Sequence, residues 1–75
     1  MLGEHGANRR ESLTSAGRLL AEAAALNRHV AAWAREHEHP TAAGRLEAEA
    51  AVLETYSADL LRMGASVLVH TSTEG

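Results

Sequence analysis

No cysteine occurs in this 75-residue chain, so disulfides and thiolate metal sites are excluded. Phenylalanine is also absent, leaving Trp33 and Tyr56 as the only aromatics. Lysine is missing too: all seven basic residues are arginine, which beside so much alanine reads as the usage of a GC-rich bacterial genome. No apolar run approaches the roughly 18 residues that span a bilayer, so no membrane segment is expected. The opening Met1-Leu2-Gly3-Glu4-His5 has neither a basic n-region nor an apolar h-region, and a cytoplasmic protein is the expectation. A formal charge of −3 argues against a broad surface for nucleic acid or anionic lipid.

Sixteen alanines make up the largest share of the apolar residues. Alanine is the best helix former and the smallest knob, so this composition favours long helices packed closely rather than a thick core. The single proline, Pro40, stands near the middle, in Arg35-Glu36-His37-Glu38-His39-Pro40-Thr41. Alanine-rich helical patterns of similar length flank it. The fold expected is all-α: one domain over 1–75, an antiparallel two-helix hairpin with helix 1 over about 9–37, a hinge at 38–41, helix 2 over about 42–69, and loose ends.

Asn8-Arg9-Arg10-Glu11 reads as a capping box for helix 1. A 3–4 stripe then runs through Ala16, Leu19, Ala23, Leu26, Val30, Trp33 and His37. Pro40 disfavours helical backbone at His39 and stops the helix, and Thr41 is placed to cap helix 2 with Pro40 just outside it. The second stripe is Leu46, Ala50, Leu53, Ser57, Leu60, Gly64 and Val67. In an antiparallel hairpin the numbers of facing residues add to roughly a constant, here about 79–80, given equal rise along both helices. That register faces Trp33 with Leu46, Leu26 with Leu53, Leu19 with Leu60 and Ala16 with Gly64. Leu19, Leu26, Val30, Trp33, Leu46 and Leu53 are therefore the expected hairpin core. After Val67 the β-branched Val67-Leu68-Val69-His70-Thr71 also admits a short strand-like tail.

Two helices bury only the stripe between them, and so small a chain gains little net stability from one seam. A twofold dimer of hairpins forming a four-helix bundle is the expected remedy, with Leu20, Val52, Tyr56, Leu60, Leu61, Met63, Val67 and Leu68 at the interface. The function expected is protein–protein interaction or regulation, with this chain and another protein as partners and no cofactor.

Three other patterns bear on function. His37 and His39, beside Glu36 and Glu38, have side-chain types that ligate zinc or nickel, so a metal- or ligand-binding bundle is the alternative. Here they sit at a helix end, where a cationic imidazole is favoured by the helix dipole without any metal. Trp33 near the end of helix 1 resembles the tryptophan of small exported WXG-type hairpins, but Trp33-Ala34-Arg35 carries arginine where the turn glycine belongs. For catalysis, no nucleophile stands at helical spacing from a base and no glycine-rich phosphate loop occurs.

Overall fold

The computed structural model describes the backbone of residues 2–74 and the side chains of residues 8–67. It contains two α-helices, α1 (Leu2–Glu36) and α2 (Pro40–Glu74), packed antiparallel as a hairpin. The Cα trace measures 56 × 15 × 10 Å, a rod one hairpin wide.

Both helices run past the expected ends. α1 passes through Asn8-Arg9-Arg10-Glu11 as ordinary helix, so Asn8 is not its N-cap. α2 takes in the β-branched tail, because no proline or turn residue interrupts it there.

The connection is only residues 37–39. His39 N–H donates to the Ala34 carbonyl at 2.7 Å and Glu38 N–H to the Arg35 carbonyl at 3.3 Å. This is the Schellman pattern that satisfies the last carbonyls of a helix. Its left-handed position is filled not by glycine but by Glu38, at φ 65°. The His39 carbonyl accepts the first bond of α2, from Ala43 N–H at 3.0 Å. His39 is thus the N-cap, and Pro40 is the first helical residue rather than lying outside α2. Proline suits that position, where its missing N–H would have had no helical partner and its fixed φ is already helical.

The helices meet along small residues spaced by seven. Gly17, Ala24 and Ala31 of α1, with Ala34, face Ala43, Ala50, Ser57 and Gly64 of α2, and all are buried. Leu46, Leu53, Leu60 and Val67 are half-buried beside this line, and Leu46 packs on the Ala31–Ala34–Ala43 cluster. The approach is close: a Cβ on Gly17 would lie 2.9 Å from Leu61 Cγ and 3.2 Å from the Ser57 carbonyl oxygen. Ser57 Oγ crosses the seam to donate to the Gly17 carbonyl at 2.6 Å, which satisfies a buried hydroxyl.

This corrects the expected hairpin core on α1. Leu19 is 64% exposed, Leu26 62% and Trp33 53%, and Val30 is exposed as well. The face of α1 turned toward α2 is one residue round from the expected stripe, on Leu13, Gly17, Leu20, Ala24 and Ala31. α1 carries two apolar stripes side by side, and small-on-small packing brings the backbones closer than a stripe of leucine and tryptophan allows.

Candidate interaction surface

The seam divides the hairpin into two flanks of opposite character. On one, Arg28 grips Glu54 in a two-pronged ion pair, Nε–Oε2 at 3.0 Å and Nη2–Oε1 at 2.7 Å. One heptad along, Arg35 holds Glu47 in the same manner, with Nε–Oε2 at 3.2 Å. The guanidinium hydrogen bonds push the Glu47 and Glu54 carboxyls below their ordinary range and raise both arginines. Both pairs are open to water, so they orient the helices more than they stabilise them. Leu61 continues the Glu47–Glu54 row by one more step of seven and packs over Gly17.

The other flank is apolar. Heptad positions place Leu19, Leu26, Val30 and Trp33 of α1 and Val52, Tyr56 and Met63 of α2 on it, all exposed. Leu20, Leu60 and Val67 line the edge where this flank meets the seam. Ala48, Glu49, Val52 and Leu53 border a shallow depression in it. One polar bridge crosses here, Asn27 Nδ2 donating to Glu49 Oε2 at 3.3 Å.

The expected interface residues therefore separate. Val52, Tyr56 and Met63 share the apolar flank, Leu20, Leu60 and Val67 flank the seam, and Leu61 lies on the ion-pair side. Leu68 falls outside the described side chains. The α1 half of the flank consists of residues that periodicity alone puts in the core. The signal that finds it is the second heptad, Gly17–Ala24–Ala31, which matches the small heptad Ala43–Ala50–Ser57–Gly64.

At the hinge end the His37 ring stacks on Trp33, centroids 4.2 Å apart and planes 20° from parallel. His39 lies near-parallel at 6.3 Å from the same indole. His37 Nδ1 is 2.8 Å from the Trp33 carbonyl oxygen, which can only accept, so Nδ1 is the donor of this bond. His37 and His39 thus extend the apolar flank with aromatic surface. Among the described residues no three histidine or carboxylate side chains converge on one point. Among the same residues no helix is long and apolar enough to cross a membrane.

Comparison of the chain with protein-family models, with curated proteins and with solved structures found no match.

Proposed function

We propose that this chain is a small cytoplasmic interaction protein, an adaptor, inhibitor or assembly subunit without catalysis, that works as a homodimeric four-helix bundle. One observation carries the reading: two aromatic and five aliphatic or thioether side chains stand exposed on a single flank, beside a seam built from alanine, glycine and serine. Isolated exposed leucines are ordinary, whereas seven large apolar side chains gathered on one flank mark a protein–protein contact. Packing two such flanks together supplies the thick core that one hairpin lacks.

The test is solution mass by multi-angle light scattering over a wide concentration range, with helicity followed by circular dichroism on the same samples. A highly helical dimer is the expected result. A poorly helical monomer at all concentrations overturns the homodimer and identifies the flank as the seat of a different protein.

A further inference from the structure

The polar groups on the apolar flank select how two hairpins face each other. Resting on the homodimer reading, we infer that the twofold axis runs perpendicular to the helices and crosses the flank near Leu26 and Val52. The two hinges then lie at opposite ends of the bundle.

The argument is one of levels. Arg28 against Glu54 and Asn27 against Glu49 fix which residues of the two helices lie at the same height. Leu26 is level with Val52, Trp33 with Arg45, Leu19 with Asp59 and Val30 with Glu49, the first three by successive steps of seven. Two hairpins can pair face to face in two twofold ways. If the axis ran along the helices, each α1 would cover the partner's α2. Asp59 would then press on Leu19, and Glu49 on Val30, burying carboxylates against aliphatic groups.

With the axis across the helices, α1 covers α1 and α2 covers α2. Leu26 and Val52 then meet their own copies, and Leu19 meets the partner's Trp33, so the Leu19–Leu26–Trp33 row of α1 is covered by the same row of the partner. On α2, Arg45 meets the partner's Asp59. Within its own chain Arg45 makes no ion pair among the described residues, whereas Asp59 already holds Arg62. Glu49 meets the partner's Tyr56, whose phenol is a donor for the carboxylate oxygens that Asn27 leaves open. Every charged group named finds an opposite charge or a donor, twice over by symmetry.

Distance measurement between spin labels tests this. The chain has no cysteine, so Thr41→Cys places a single label at the exposed start of α2. Thr41 is about 16 Å along the helix from Val52, so the two labels should be roughly 30–40 Å apart. A separation under about 20 Å puts both hinges at one end, overturning the inferred axis while the homodimer stands. A monomer with no dipolar coupling overturns both. Tyr56→Phe keeps the ring and removes the donor, and should weaken the dimer by about tenfold or more. An unchanged dissociation constant overturns the Tyr56–Glu49 contact.

Discussion

Changing Gly17 or Gly44 to alanine is the same chemical edit at two helical positions, and the hairpin makes the outcomes diverge. Alanine in place of helical glycine is worth about 0.5–1 kcal/mol in stability, through the smaller backbone entropy of the unfolded chain. At Gly44 a Cβ meets nothing within 4 Å, so Gly44→Ala should show that full gain. At Gly17 the new methyl would stand 2.9 and 3.0 Å from two carbons of Leu61 and 3.2 Å from a backbone oxygen. Leu61 can change rotamer, but the Ser57 carbonyl belongs to the α2 backbone and yields only if the helices separate. Separation also stretches the Ser57–Gly17 hydrogen bond. Overpacking of this kind costs about 1–3 kcal/mol. The propensity gain is common to both variants, so their difference isolates the packing cost: Gly17→Ala should be less stable than Gly44→Ala by about 1–3 kcal/mol. Urea unfolding followed by circular dichroism, at one protein concentration, reads that difference directly. Equal stabilisation by the two substitutions would refute a seam that turns on Gly17.

Glu38→Gly should stabilise the hairpin by about 1 kcal/mol, since left-handed backbone is easy for glycine and costly for glutamate, with part of the gain offset by unfolded-state entropy. The midpoint of urea unfolding checks it. Leu26→Glu should abolish dimerisation in light scattering while the hairpin stays helical at high concentration; loss of helix would return Leu26 to the core. The lowered carboxyl pKa values of Glu47 and Glu54 give a defined pH dependence. A carboxylate held below its unfolded value contributes stability above the usual range near 4.3, and that contribution is lost as pH falls through the lowered folded values. Melting temperature should therefore fall more between about pH 5 and 3 for the native chain than for Glu54→Gln, and the gap should narrow in high salt.

The all-α hairpin was legible because it rests on local signals: alanine content, two helical patterns and a lone proline. The α2 stripe was legible for a second reason, that only one of its faces combines large and small residues at spacings of three and four. α1 was ambiguous. Leu19, Leu26 and Trp33 form a heptad as regular as Gly17, Ala24 and Ala31, and hydrophobicity favours the former. Which stripe turns inward depends on how near the partner helix comes, a tertiary quantity that periodicity along one helix does not contain. The cap falls at His39 rather than Thr41 for a smaller reason: threonine is the stronger capping residue, but proline's preference for the first helical position outranks it here. The ion pairs of Arg28 and Arg35 needed the true register before they could be seen.

The seven-residue spacing of the seam has a cost in uniqueness. Slide α2 past α1 by one heptad and small residues still meet small ones, while Arg28 comes level with Glu47 instead of Glu54. The surface pattern is close to self-similar, like the teeth of a rack, and by itself it tolerates several alignments. What selects one alignment is the tether of residues 37–39, whose turn closes only where His39 N–H reaches the Ala34 carbonyl and Glu38 N–H the Arg35 carbonyl. A chain cut at Glu38, or given a long flexible hinge, would keep its two helices and its appetite for pairing. It would lose the single register on which both flanks depend.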